Sequence, residues 1–130
     1  NLIQRYFENN THMKEIKRIT GTNSWILGYL ADNMGREVYQ RDLEQHFSVT
    51  RSTMSKVLGL MEQKGLVERR PVARDARLKQ IVPTERALGL SALMRQDRAQ
   101  MESALTAGFT AEELATLNDY IQRMKENISQ

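Results

Sequence analysis

Apolar positions recur through most of the chain with the period of a helix. Leu2, Ile3, Tyr6 and Phe7 form an i, i+1, i+4, i+5 stripe on one face. Asn9-Asn10-Thr11 interrupts the stripe, and Met13, Ile16 and Ile19 resume it. Thr20-Gly21-Thr22-Asn23 combines a stop with cap candidates. The next predicted helix carries Trp25, Ile26, Tyr29 and Leu30 on one face and ends at Asn33-Met34-Gly35-Arg36. After a short extended stretch, Glu37-Val38-Tyr39, a brief helix buries Leu43 and Phe47, four residues apart. Ser48-Val49-Thr50 reads as a turn, with Val49 plugging the gap between two helices and Thr50 as N-cap. The following helix has its core stripe at Met54, Val57, Leu58 and Met61, and Gly65 stops it.

The period then changes. Leu66–Arg70 and Leu78–Val82 read as short strands, the second with Leu78, Gln80 and Val82 on one face and Ile81 on the other. The polar, basic stretch Pro71–Arg77 between them has the length of a hairpin tip. Pro83 ends the second strand. Thr84 caps a long helix to about Thr106, with Leu90, Leu93, Met94, Met101, Ala104 and Leu105 on its apolar side. Gly108 stops that helix, Thr110 and Glu113 form a capping box, and a last helix presents Leu114, Leu117, Ile121, Met124 and Ile128. The expected fold is mainly α with a small β-hairpin: a winged helix-turn-helix over about 22–83, a long linking helix over 84–107, and flanking helices over about 1–20 and 108–130.

At 130 residues and 40% hydrophobic composition the chain suits one domain or compact subunit. It contains no cysteine, which removes disulfides and thiol chemistry. Its longest apolar runs, such as Trp25-Ile26-Leu27, are far too short to span a bilayer, so no membrane partner is expected. The chain starts at Asn1 and not at Met, so its start is no guide to targeting. No signal-peptide pattern is visible in it, and the cytoplasm is the expected location. Net charge is only +3, but Arg36–Lys79 holds ten Lys/Arg against six Asp/Glu, whereas residues 84–130 hold five against seven. Concentrated positive charge in the middle third suits a polyanionic partner.

The core stripe from Met54 to Met61 turns Arg51, Ser52, Ser55 and Lys56 outward, with Thr53 at the edge. Hydroxyls and forked donors on an unobstructed helix N-terminus suit the edges of bases in a major groove and the phosphates beside it. The hairpin tip places Arg74 and Arg77 around Asp75, which suits an adjacent minor groove. Double-stranded DNA is therefore the expected partner. A winged-helix module for protein interaction and a sequence-neutral DNA binder remain as alternatives. The apolar faces at the two ends, Leu2, Ile3, Tyr6 and Phe7 and then Leu117, Tyr120, Ile121, Met124 and Ile128, need covering, either by each other or across a two-fold interface. Catalysis is not expected. His12 and His46 are the only histidines, no metal-ligand spacing occurs, no His–acid pair accompanies Ser52 or Ser55, and no Gly-rich phosphate loop is present. No cofactor is expected either.

These stretches resemble the multiple-antibiotic-resistance regulator (MarR) family of winged helix-turn-helix proteins. The resemblance is carried by Gln40-Arg41-Asp42-Leu43, by Val49 through Val57, by Met61 through Arg69, and by the wing signature Asp75-Ala76-Arg77 followed by Val82-Pro83-Thr84. It implies a homodimeric, sequence-specific DNA-binding transcription regulator, a repressor on a pseudo-palindromic operator, in which the first and last helices of two subunits interleave. Arg51, Ser52, Thr53, Ser55 and Lys56 would be its recognition-helix contacts and Arg77 its wing arginine, braced by Asp75. It also implies a small-molecule effector, with Tyr6, His12, Trp25 and Tyr29 in the segments that would line the cleft. The chain departs from the family pattern at Glu44 and Ser48, where Ala and Gly are usual, and at Pro83 and Ala87, where Leu and Gly are usual.

Overall fold

The computed structural model describes residues 1–129, without the side chain of Ala76. Gln130 and the middle side chain of Asp75-Ala76-Arg77 thus lie outside the described residues. The element order is α1 (Leu2–Asn10), α2 (Met13–Thr20), α3 (Ser24–Asp32), α4 (Gln40–Phe47), α5 (Arg51–Gln63), β1 (Val67–Val72), β2 (Asp75–Pro83), α6 (Glu85–Thr106) and α7 (Ala111–Ile128). The chain divides into two compact units, Asn1–Asp97 and Arg98–Gln130.

In the first unit the helix ends follow local chemistry. Gly21, at φ 64°, closes α2. Asp42 accepts the Tyr39 N–H at 2.8 Å and so fixes the start of α4. Thr50 caps α5 by accepting the Thr53 N–H at 3.3 Å. At the other end of α5, Gly65 takes φ 72°. Its N–H bonds the Glu62 carbonyl at 3.0 Å, and the Leu66 N–H bonds that of Met61 at 2.9 Å. This is a Schellman closure, with Met61 and Leu66 both buried beneath it. Thr84 then ties α6 to this corner: its hydroxyl donates to the Gly65 carbonyl at 2.7 Å and accepts the Ala87 N–H at 3.2 Å.

The core joins Ile26, Leu27 and Leu30 of α3, Leu43 of α4, Met54, Leu58 and Met61 of α5, Leu66, Val67, Ile81, and Ala87 and Leu90 of α6. Ile16 of α2 also reaches it. One element, α3, is turned differently from the sequence expectation, whereas β2 keeps the expected alternation. In α3, Ile26, Leu27 and Leu30 are buried, while Trp25 and Tyr29 are only half-buried. Nearly every residue of that helix is apolar, so the stripe has no unique phase. In β2 the buried residue is Ile81, while Leu78, Gln80 and Val82 are half-buried.

The hairpin is longer and its turn tighter than expected. β1 and β2 pair antiparallel from Val67↔Pro83 to Pro71↔Lys79, shift register between Pro71 and Val72, and close at Val72↔Asp75. The turn is Ala73-Arg74 instead of the whole of Pro71–Arg77. The stretch ahead of α4 flanks the hairpin: Tyr39 bridges Gln80, and the Ile81 N–H donates to the Val38 carbonyl at 2.7 Å.

A buried acid was not foreseen. Asp97 of α6 is 7% exposed. It accepts the His12 N–H at 2.8 Å and meets His12 Nδ1 at 2.9 Å, so a side chain from α6 satisfies the start of α2.

The second unit holds the remainder of α6, a stop at Gly108 (φ 84°), and α7. The capping box forms as expected: the Thr110 N–H reaches Glu113 Oε1 at 2.9 Å, and the Glu113 N–H reaches Thr110 Oγ1 at 3.1 Å. No described residue of α7 is buried, and the same holds for α1 in the first unit.

Candidate nucleic-acid interface

Met54 has no exposed surface, and that fixes the rotation of α5. Arg51, Ser52, Thr53, Ser55 and Lys56 all emerge exposed from its first two turns. Thr50 holds the hydroxyls in order, its own hydroxyl donating to Thr53 Oγ1 at 2.9 Å and lying 3.4 Å from Ser52 Oγ. Gln40 of α4 donates to the Arg51 carbonyl at 3.3 Å, which locks the two helices at that corner.

A groove of about 320 Å³ runs between this corner and the hairpin. Gln40, Arg41 and Glu44 line it from α4, Arg51 and Ser55 from α5, and Arg77, Leu78 and Lys79 from β2, with Tyr39 between them. Ser52, Thr53 and Lys56 stay outside it, exposed on the same helix. Arg41 and Lys79 were not singled out from the sequence. Their signal was present in the charge surplus of the middle third, but placing them required the hairpin register.

The wing acids act on individual arginines. Asp75 accepts the Arg77 N–H at 3.0 Å and its Nε at 3.2 Å. These bonds, the backbone one first, hold the Asp75 carboxyl below the usual carboxylate range. Arg77 remains 91% exposed along its side chain, so its base is fixed while its outer nitrogens are free. Arg74 is placed differently. Its Nη2 bonds Glu37 Oε2 at 3.1 Å and also donates to the Tyr39 hydroxyl. The two arginines of β1 are paired as well, Arg69 with Glu62 at 3.1 Å and Arg70 with Glu68 at 2.6 Å. Among the described residues, Arg41, Arg51, Lys56 and Lys79 are in no ion pair, and all four stand on α4, α5 or the groove side of β2.

The residues expected around an effector fall into separate groups. Trp25 and Tyr29 pack against Phe47 with ring centroids 4.2 and 5.7 Å away, and His46 lies 4.5 Å from Tyr29. Tyr6 stacks edgewise on Phe7 at 6.4 Å, and His12 is held by Asp97. No group of three or more His, Cys, Asp or Glu is placed to hold a metal ion among the described residues. No described helix is long and apolar enough to cross a membrane.

Comparison with known proteins agrees with this geometry. The model of the MarR family matches residues 19–78, which span α3 through the first part of β2. The HTH-type transcriptional regulator YybA of Bacillus subtilis is 24% identical over 119 residues, covering 92% of this chain and 77% of that protein. The solved transcription regulator MarR of Oenococcus oeni is 32% identical, with a TM-score of 0.59 over 87% of this chain and 89% of that one. The chain belongs to the MarR family. It is thus a winged-helix, DNA-binding transcription regulator, from a family of regulators and not of enzymes. The heme sensor protein PefR of Streptococcus agalactiae, solved with heme, shares the fold at a TM-score of 0.73 with 19% identity, over 100% of this chain and 88% of that one.

Two departures from the MarR pattern have visible local consequences. Ser48 takes the left-handed conformation, φ 54° and ψ 47°, that makes glycine usual there. Glu44 is half-buried and lines the groove together with Arg51 and Ser55.

Proposed function

We propose that two copies of this MarR-family chain bind a pseudo-palindromic operator and repress transcription there. In each copy the start of α5 enters the major groove. Ser52, Thr53 and Ser55 meet base edges, while Arg51 and Lys56 meet bases or phosphates. Arg77, held at its base by Asp75, enters the adjacent minor groove. Arg41 and Lys79 add phosphate contacts along the walls between them. The observation that carries this reading is the shared groove, in which Arg51 and Ser55 of α5 face Arg77 and Lys79 of β2.

The dimer is supported by exposed apolar faces within each unit considered alone. Leu2, Ile3 and Tyr6 are exposed on α1, as are Leu117, Tyr120, Ile121, Met124 and Ile128 on α7. A second copy would cover them and set two recognition helices about one helical turn apart. Control by a small molecule is supported at the level of the family and by the likeness to a heme sensor. It would act by favouring a spacing of the two recognition helices that no longer fits successive grooves.

The experiment is a titration of the chain against genomic and random duplexes at several salt concentrations. Sequence-selective binding is expected, with log K falling by about 0.9 per decade of salt for each phosphate neutralised. Arg51→Ala and Arg77→Ala should each weaken operator binding by about 1–3 kcal/mol. Equal affinity for every duplex at low salt, or parent-like behaviour of both variants, would refute the assignment.

A further inference from the structure

Arg74 sits in the turn of the hairpin, where a cation is well placed to reach a phosphate, yet its guanidinium points back at the chain ahead of α4. Glu37 takes Nη2 at 3.1 Å. The Tyr39 hydroxyl accepts from the same nitrogen and donates to the same carboxylate oxygen, so three side chains close a ring. The guanidinium carbon also lies 5.8 Å from the centre of the Tyr39 ring.

We propose that Glu37, with Tyr39, withholds Arg74 from the DNA backbone, so that the wing grips a duplex through Arg77 and Lys79 and without the cation at its turn. A carboxylate presents a guanidinium with the same oxygen geometry as a phosphate and competes for it directly. An exposed ion pair alone is a weak restraint. Here the phenol adds a second contact and a fixed post, because Tyr39 is 7% exposed and its backbone is bridged to Gln80. The pairing also holds the Glu37 carboxyl below its ordinary range, through the Tyr39 hydroxyl first and Arg74 second, so it stays charged. The two acids that meet these wing arginines thus have opposite effects. Asp75 binds the base of Arg77 and leaves its outer nitrogens free, whereas Glu37 engages one of the two outer nitrogens of Arg74, Nη2. The consequence is a lower affinity for all duplex DNA, since a phosphate contact carries no sequence information.

This inference rests on the reading that the wing meets DNA, and the test separates the two. The full chain is titrated with a random-sequence duplex about three helical turns long over a range of salt. The variants are Glu37→Gln, Arg74→Ala, the double variant, and Arg77→Ala. Arg74→Ala should keep the parent salt slope. Glu37→Gln should steepen the slope by about 0.9 for each wing engaged and tighten binding roughly three- to ten-fold at low salt. The double variant should return to the parent slope. The proposal is overturned if Arg74→Ala alone flattens the slope, if Glu37→Gln matches the parent, or if its gain survives in the double variant. Arg77→Ala without effect would overturn the wing reading, and the inference with it. Arg77→Ala weakening binding while Glu37→Gln changes nothing would overturn the inference alone.

Discussion

Single residues show where sequence logic and backbone demand conflict. Ser48 is the one non-glycine residue with positive φ among the described residues. A side chain in the left-handed region costs about 1–2 kcal/mol, part of which glycine would lose again through its greater freedom when unfolded. Ser48→Gly should therefore stabilise the chain by about 0.5–1 kcal/mol, a rise in Tm of roughly 2–5 °C. Thermal unfolding followed by circular dichroism checks this, and an unchanged or lower Tm would mean that the serine is compensated locally. Asp97 illustrates a signal that was present but not used. It stands seven residues after Leu90 and four before Met101, on the apolar stripe of α6, where an acid has to find a partner. The sequence could not say that the partner would be His12, because that contact spans 85 positions.

At the scale of elements, legibility depended on how one-sided each element is. α5 was readable because Met54, Leu58 and Met61 are buried on one face and Arg51, Ser52, Ser55 and Lys56 are not. That amphipathic pattern set both the core and the candidate contact face. α3 and β2 are covered on more than one side. Trp25 and Tyr29 pack partly against Phe47 of α4, and Leu78 lines the groove while Ile81 faces the core. Apolar residues therefore occur on both faces, and parity alone could not choose between them. The rotation of α5 gives a direct contrast between neighbours two residues apart. Leu58→Ala, at a fully buried site, should cost about 2–5 kcal/mol, whereas Leu60→Ala, at a site 51% exposed, should stay within about 0.5 kcal/mol. Equal costs by chemical denaturation would mean that the helix is rotated from the position described, and the outward placement of Arg51 and Ser55 would fall with it.

At the scale of the molecule, the terminal helices raise a question that one copy leaves open. Within its own unit α7 buries nothing, and Ile128 is 84% exposed. The apolar spacing that predicted this helix also predicted an interface, but an amphipathic stripe does not name what it packs against. A two-fold partner fits a palindromic site, because two weak half-site contacts joined in one particle bind far more tightly than either alone. Ile121→Asp places a charge in the middle of the α7 face while leaving α5 and the hairpin untouched. Sedimentation should show a dimer for the parent and a monomer for the variant. The operator affinity of the variant should fall by about a hundred-fold or more, while its near-ultraviolet circular dichroism from Trp25 is retained. A parent that sediments as a monomer would remove the dimer. A monomeric variant that still binds the full operator as tightly as the parent would show instead that one winged helix is sufficient for recognition.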